Sequence, residues 1–151
     1  MDANAAPARL KGMPSWLLNQ AAAQASRLVN DGLGAAGARR YHYSMLAALA
    51  EFGPASQATL GRHCGIDRSD MVAMVNELAD RELVDRAPDP ADRRRNIITI
   101  TPAGIRQLQR LDELLTQVQD DVLAPLSTAE RAQLAQLLTQ VVDHHRGRHG
   151  A

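Results

Sequence analysis

Two short amphipathic helices joined by a tight turn constrain the fold of this chain more than any other feature. The first helix is expected over Gln57–Cys64, with Ser56 as its N-cap and a glycine directly after it. Asp67 is expected to cap the second helix, with Asp70 completing a variant of the capping box. The helix continues to about Arg81 with an inward-facing stripe at helical spacing, Met71, Met74, Val75 and Leu78. This pattern predicts a helix-turn-helix.

A β-hairpin is expected to follow. Leu83–Arg86 and Ile97–Ile100 are short runs typical of strands, and the ten residues Ala87–Asn96 between them are predicted to form a loop. That loop carries three consecutive arginines, Arg93–Arg95. A hairpin directly after a helix-turn-helix indicates a wing.

Longer helices are expected before this unit. One opens at Pro14 and ends near the glycines at 32, 34 and 37, and a second covers about Arg39–Glu51. Residues 1–13 are small and polar, so a flexible N-terminal arm is predicted there.

Two further helices are expected after the hairpin. Thr101 and Pro102 form an N-cap followed by proline at N1, and after Pro125 the capping box Ser127–Glu130 starts the last helix. Each carries an apolar stripe: Leu108, Leu111, Leu115, Val118 and Val122 in the first, and Leu134, Leu137, Leu138, Val141 and Val142 in the second. The first is spaced like a coiled-coil seam, which favours self-association; alternatively, both stripes pack within the monomer.

Composition supports a mainly α fold with a small β-hairpin wing. Hydrophobic residues make up 45% of the chain but aromatic residues only 3%, which favours helices over a β-sandwich. The formal net charge is zero, so any nucleic-acid footprint must be local. No apolar run is long enough to span a membrane, no export signal is evident, and the single cysteine, Cys64, fits a cytoplasmic protein.

The run from Gly53 to Gly104 resembles the MarR (multiple-antibiotic-resistance regulator) family. The matching anchors are Leu60, Ile66, Asp67, Leu78, Leu83, Val84, Arg86, Asp89, Asp92, Arg93, Arg94, Thr101, Ala103 and Gly104. The resemblance implies one domain over residues 14–151, in which residues 14–38 and 102–146 form a homodimer and residues 39–101 form the winged helix-turn-helix lobe. It also implies a double-stranded, pseudo-palindromic operator and a repressor released by a small anionic or phenolic effector.

The helix from Arg68 is expected to lie in the major groove. Its residues turned away from the core are Arg68, Ser69, Asp70, Val72, Ala73 and Asn76. Asn76 is suited to a bidentate pair with adenine, and Ser56 and Gln57 to phosphate contacts. Asp70 has an equally good interpretation as a capping carboxylate, and ordinary solvation is the alternative for every member of the set.

The wing arginines, Arg93, Arg94 and Arg95, are expected to reach the adjacent minor groove. Arginine favours a narrow minor groove because its guanidinium is weakly hydrated and the negative potential there is focused. By resemblance, Arg94 is the groove residue, and Asp92 orients an arginine. The alternative is a solvated run of charge.

Two residues depart from the family pattern. Glu82 stands where the family has glycine, which suggests a helix exit without a left-handed cap, and Ala73 replaces a residue that is often basic. Together with the near-neutral charge, these departures keep open a different class of function, a winged-helix protein–protein interaction module that no longer binds DNA.

Effector binding is implied by resemblance. The residues expected near an effector are Trp16, Arg39, Arg40, Tyr41 and Tyr43, although packing alone also accounts for the aromatic ones.

Other kinds of site are not favoured. Cys64 is interpreted as a small buried hydrophobe, with a thiol-based redox switch as the alternative. The histidines near the C-terminus are interpreted as a frayed basic helix end, so no metal or other cofactor is expected. His42 and His63 receive no role, and because no enzyme motif is present, catalysis is not expected.

Overall fold

The computed structural model describes residues 5–149 of the 151-residue chain. The chain divides into two compact units, Met1–Val118 and Gln119–Ala151. The elements, in chain order, are α1 (Ala8–Lys11), α2 (Pro14–Gly34), α3 (Arg40–Phe52), β1 (Ala55–Ser56), α4 (Gln57–Cys64), α5 (Arg68–Asp80), β2 (Val84–Asp89), β3 (Asp92–Ile100), α6 (Pro102–Val122) and α7 (Thr128–His149). The mainly α fold with a small β wing is confirmed.

The wing is longer and more regular than predicted. β2 and β3 pair antiparallel from Val84 opposite Ile100 to Asp89 opposite Asp92, with an irregularity after Pro88. The predicted ten-residue loop is therefore wrong, since most of it is strand. The two-residue strand β1 pairs with β3 on its other side, which gives the strand order β1-β3-β2.

The first hydrophobic core lies within the helix-turn-helix and the base of the wing. Met71, Val75 and Leu78 of α5 are almost fully buried, as their spacing predicts, and Met74 of the same stripe is partly buried. They belong to one cluster with Met45, Leu46, Ala48, Leu49, Leu60, Ile66, Val84 and Ile98. This core fixes which face of α5 is turned to solvent.

A second cluster packs α2, the start of α3 and α6 together. Its buried members are Leu33, Ala38 and Leu111, and Tyr43 packs against them. The Tyr43 hydroxyl donates a 2.6 Å hydrogen bond to Asp112 Oδ1. This bond raises the pKa of Tyr43 to about 12, and burial adds to the effect.

Helix α5 ends in a left-handed turn at Glu82, whose φ is 60°. The Leu83 amide donates to Leu78 O at 3.0 Å and the Glu82 amide to Ala79 O at 2.9 Å, the two bonds of a Schellman motif. The expected exit without a left-handed cap is therefore wrong. At the other end of α5, Asp67 occupies the N-cap position, but its side chain makes no capping hydrogen bond.

The start of α6 is tied to that turn. Thr101 Oγ1 donates to Glu82 O at 2.7 Å and accepts from the Gly104 amide at 3.0 Å, so Thr101 is the N-cap that the sequence predicts. A Cβ on Gly104 would lie 2.2 Å from Leu83 O. Only glycine lets α6 approach the turn this closely, which is a physical reason for the Thr-Pro-x-Gly motif.

The unit that begins at Gln119 contains α7. The predicted capping box forms, because the Ser127 amide donates to Glu130 Oε1 at 2.9 Å and the Glu130 amide donates to Ser127 Oγ at 3.2 Å. Hydrogen bonds that the amide and then the hydroxyl of Ser127 donate to the Glu130 carboxyl lower its pKa. In the predicted stripe, Leu137, Leu138, Val141 and Val142 are exposed in the single chain, and Leu134 is partly buried.

The N-terminal segment contains one helical turn, α1, where a flexible arm is predicted, and residues 1–4 of that arm lie outside the described part. Over the residues that the structure describes, no helix has the length and apolar character needed to cross a membrane.

Candidate nucleic-acid interface

Helix α5 presents the predicted DNA-reading set to solvent. The burial of Met71, Val75 and Leu78 leaves the other faces free. All six predicted residues, Arg68, Ser69, Asp70, Val72, Ala73 and Asn76, are exposed. Val72 is 52% exposed. Their base contacts remain predictions.

The wing tip is shaped by its two aspartates. Asp89 Oδ1 accepts from the Ala91 amide at 2.9 Å, and Asp92 Oδ1 accepts from the Arg94 amide at 3.1 Å. Such bonds stabilise tight turns, because the aspartate oxygen accepts the hydrogen bond that a backbone carbonyl would otherwise accept. The Asp-Pro-Ala-Asp sequence therefore makes the tip of the hairpin.

Asp92 also holds the side chain of Arg94. Arg94 Nε donates to Asp92 Oδ1 at 3.1 Å, while the Arg94 side chain is 91% exposed. The bonds from Arg94, and secondarily the charge of Arg95, lower the pKa of the Asp92 carboxyl. Arg95 lies 3.6 Å from Asp89 and 3.7 Å from Asp92. The contact agrees with the prediction that Asp92 orients an arginine.

An open cleft of about 800 Å³ lies between α4, the start of α5 and the wing. We call it the arginine cleft, because Arg62, Arg68, Arg94 and Arg95 line it, against one carboxylate, Asp67. Ser56 and Gln57, the predicted phosphate contacts, line it as well. The Ser56 hydroxyl also caps α4 by accepting from the Thr59 amide at 3.2 Å. The fold thus gathers cationic and hydrogen-bonding groups from three elements at one surface.

Asn76 has a partner on the wing. Arg86 Nη1 of β2 donates to Asn76 Oδ1 at 2.5 Å. This contact couples the side chain predicted to read adenine to the strand beside it.

A buried histidine ties α3 to α5. His42 is 2% exposed, and its Nε2 lies 2.6 Å from Glu77 Oε2. Its Nδ1 accepts from the Arg39 amide at 3.2 Å, and Arg39 Nη1 lies 3.8 Å from Glu77 Oε1. Arg39, His42 and Glu77 therefore form one polar network between the N-terminus of α3 and α5, the predicted DNA-recognition helix.

A second cavity, of about 380 Å³, lies beside this network. Asn30, Ala38, Arg39, Arg40, Tyr41 and Met74 line it. Three of the residues expected near an effector, Arg39, Arg40 and Tyr41, meet there. Trp16 and Tyr43 do not line this cavity, and the Tyr43 hydroxyl is bonded to Asp112.

Cys64 and His63 both pack against neighbouring side chains. Cys64 packs against the first core, and burial raises the pKa of its thiol, which disfavours the reactive thiolate. His63 stacks on Phe52 with ring centroids 4.3 Å apart. Helix α7 extends to His149. Within residues 5–149, no group of three or more histidine, cysteine or acidic residues is placed to hold a metal ion.

Sequence reasoning missed four residues of this region: Arg62, Arg86, His42 and Glu77. Arg62 lies on the exposed face of α4, where helical spacing from Ala58 could have placed it on the cleft side. The pairs Arg86–Asn76 and His42–Glu77 join residues 10 and 35 positions apart. Periodicity carries no signal for such contacts.

Comparison with known proteins identifies the family. The sequence pattern of the MarR family matches residues 36–95. The chain is 36% identical over 99 residues to a putative transcriptional regulatory protein for the hcr operon of Thauera aromatica, covering 66% of this chain and 60% of that protein. It is 34% identical over 98 residues to the HTH-type transcriptional repressor NicR of Pseudomonas putida, covering 65% and 62%. The match therefore spans about three fifths of both relatives.

A solved structure extends the likeness over nearly the whole chain. The PcaV transcriptional regulator from Streptomyces coelicolor, in complex with its natural ligand, is 30% identical with a TM-score of 0.75, covering 91% of this chain and 97% of that chain. Three observations indicate the same family: the winged helix-turn-helix, the Asp-x-x-Asp-Arg-Arg wing tip and these similarities. The chain belongs to the MarR family of transcription regulators.

Proposed function

We propose that this chain is a sequence-specific DNA-binding transcription regulator, a repressor that leaves its operator when it binds a small molecule. The observation that carries the proposal is the arginine cleft, where three elements bring four guanidinium groups together in a chain whose net charge is zero. A local concentration of arginine beside an exposed helix face is the electrostatic footprint of a DNA-binding surface.

The geometry favours one docking mode. Helix α5 enters the major groove with its exposed face, from Arg68 to Asn76, against the bases. The wing lies beside it and carries Arg94 at a slim tip, where the side chain is 91% exposed. Arg94 then reaches the adjacent minor groove, while Asp92 limits the conformations of its guanidinium. Ser56 and Gln57 contact the phosphate backbone from the start of α4.

Binding as a homodimer follows from the exposed apolar residues. Leu137, Leu138, Val141 and Val142 of α7 are 36–50% exposed, and Leu17 and Leu18 of α2 are 48% and 43% exposed. Apolar stripes of this kind on long helices favour association with a second copy. Two lobes related by a twofold axis read a pseudo-palindromic operator.

The effector is proposed to bind in the second cavity. Arg39, Arg40 and the Tyr41 hydroxyl suit an anionic or phenolic molecule. Met74 brings the recognition helix into the lining, so an occupant contacts α5 directly. An anion beside Arg39 also competes with Glu77 for the same guanidinium. The similarity to the PcaV regulator, which was solved with its natural ligand, supports the binding of an effector. The similarity to the repressor NicR supports repression.

We further infer that the chain acts in the cytoplasm by binding rather than by catalysis, as expected of a regulator. The alternative, an interaction module without DNA binding, is suggested by the near-neutral charge, Ala73 and Glu82. Because Glu82 keeps the left-handed helix exit, one of these three motivations is weakened.

A binding titration tests the proposal. Purified full-length protein is titrated against DNA from its own upstream region and against a scrambled duplex, each at two salt concentrations. Selective binding that weakens steeply with salt is expected, because each neutralised phosphate releases counterions. Equal binding to both duplexes, or none by a folded dimer, would overturn the proposal in favour of the interaction module.

A further inference from the structure

We propose that Arg86 fixes the orientation of the Asn76 amide, and that the two residues together set the base preference at one position of each half-site. The inference rests on the proposed function, since it assigns a positioning role within the same DNA-reading surface. Arg86 belongs to β2 and Asn76 to α5, so the unit bridges the wing and the recognition helix.

The register of β2 brings Arg86 to α5. Side chains of a strand alternate between its two faces, so Arg86 shares a face with Val84. Val84 is 2% exposed and belongs to the core that buries Met71, Val75 and Leu78. The Arg86 side chain therefore lies on the side of the strand that faces α5, two residues beyond buried Val84. There it contacts exposed Asn76.

The contact selects one of two amide orientations. Arg86 Nη1 donates to Asn76 Oδ1 at 2.5 Å. A half-turn of the amide would place its NH₂ group against the guanidinium, donor against donor, because arginine has no acceptor. Charge-assisted hydrogen bonds are stronger than neutral ones. The guanidinium thus keeps Oδ1 on the side of Arg86 and directs Nδ2 away from it.

The fixed amide matches one base. Oδ1 has a second lone pair, and Nδ2 carries two hydrogens. An acceptor and a donor held side by side match adenine, which offers the N6 amino group as donor and N7 as acceptor in the major groove. Without Arg86, both orientations are available, and the flipped amide no longer matches that pattern. Arg86 is therefore a positioning residue for an adenine contact.

The test measures base preference rather than affinity alone. The dissociation constants of the full-length protein are measured for its operator and for every single base-pair variant of one half-site. The variants are Asn76→Ala, Arg86→Ala and the double substitution. Arg9→Ala is the control for loss of charge, because Arg9 is exposed in α1, outside the DNA-binding lobe and the dimerisation helices. Thermal melting checks that each variant is folded.

Asn76→Ala is expected to lower discrimination at one A·T pair by roughly 10-fold. Arg86→Ala is expected to lower discrimination at the same pair to a similar degree, and the double variant to add little, because the two residues act as one unit. Arg9→Ala should leave every preference unchanged.

Two other outcomes would overturn the inference alone. A uniform loss of affinity across all variants, with a smaller salt slope, would make Arg86 a phosphate contact. A changed preference at a different base pair would make it an independent base contact. Absence of selective DNA binding by the unaltered protein would instead overturn the proposed function and this inference together.

Discussion

His42 Nε2 lies 2.6 Å from Glu77 Oε2, which joins a buried residue of α3 to the recognition helix. Because His42 Nδ1 accepts from the Arg39 amide, the ring proton belongs on Nε2 and is donated to the carboxylate. Both ring nitrogens of a side chain that is only 2% exposed are therefore satisfied. The contact fixes α5 against the start of α3.

Replacing His42 should destabilise the fold. His42→Ala removes a hydrogen bond to a charged group and leaves a cavity, so we expect a loss of about 2 kcal/mol in the free energy of unfolding. Urea denaturation measures it. Glu77→Gln is the matched control, since it keeps an acceptor and should cost less than half as much. A loss below about 0.5 kcal/mol for His42→Ala would show that the contact between His42 and Glu77 does not stabilise the fold.

Replacing Glu82 by glycine should stabilise the fold. Glu82 is the one non-glycine residue with positive φ in the described part of the chain. Removing its Cβ relieves strain that exceeds the entropy cost of glycine, so Glu82→Gly should gain about 1 kcal/mol. Thermal melting checks this, with Glu82→Ala as the control that keeps the Cβ. Equal melting temperatures for the two variants would show that the turn carries no strain.

Tyr43 should ionise near pH 12, because the hydrogen bond to Asp112 and burial raise its pKa to about 12, and the phenolate would also lie beside the Asp112 carboxylate. The Tyr41→Phe variant leaves Tyr43 as the only tyrosine of the two in the sequence, so absorbance of the phenolate reports on it directly. Adding Asp112→Asn should move the transition down toward pH 10. An unchanged transition would mean that the Tyr43–Asp112 bond does not form in solution.

The same contact gives the sign of a pH effect. The pKa of Tyr43 is raised from 10.0 in folding, so its contribution to stability is complete below pH 10 and is lost as the pH rises toward 12. Asp112→Asn should flatten this part of the stability profile.

Cys64 should behave as a core residue. Burial raises the pKa of its thiol, so its reaction with Ellman's reagent at neutral pH should be several-fold slower than that of free cysteine. Cys64→Ser should bind operator DNA as the unaltered protein does. Peroxide should release neither form. Release of the unaltered protein alone would establish the redox switch that the sequence leaves open.

The local patterns of the sequence predict much of this fold. The stripe of Met71, Val75 and Leu78 correctly identifies the buried face of α5, and Ser127 with Glu130 correctly marks the start of α7. Both signals involve residues within one or two helical turns. Local spacing is enough to predict such features.

The errors arise where tertiary or backbone bonds override propensity. Pro88 and Asp89 disfavour strands, yet pairing with β3 extends β2 through them. Glu82 disfavours a left-handed turn, yet two bonds that close α5 and the Thr101 hydroxyl hold it there. The contacts of His42 and Arg86 depend on partners distant in sequence, so only the folded chain reveals them.

The wing arginine Arg94 is proposed to enter the minor groove beside the recognition helix. The direct measurement compares the unaltered protein, Arg94→Ala and the control Arg9→Ala on the operator at two salt concentrations. Because a dimer carries two wings, Arg94→Ala should weaken binding by about 10-fold or more and reduce the salt slope by about 1 to 2, while Arg9→Ala changes neither. Unchanged affinity and salt slope for Arg94→Ala would contradict the claim and leave the three wing arginines as a solvated run of charge.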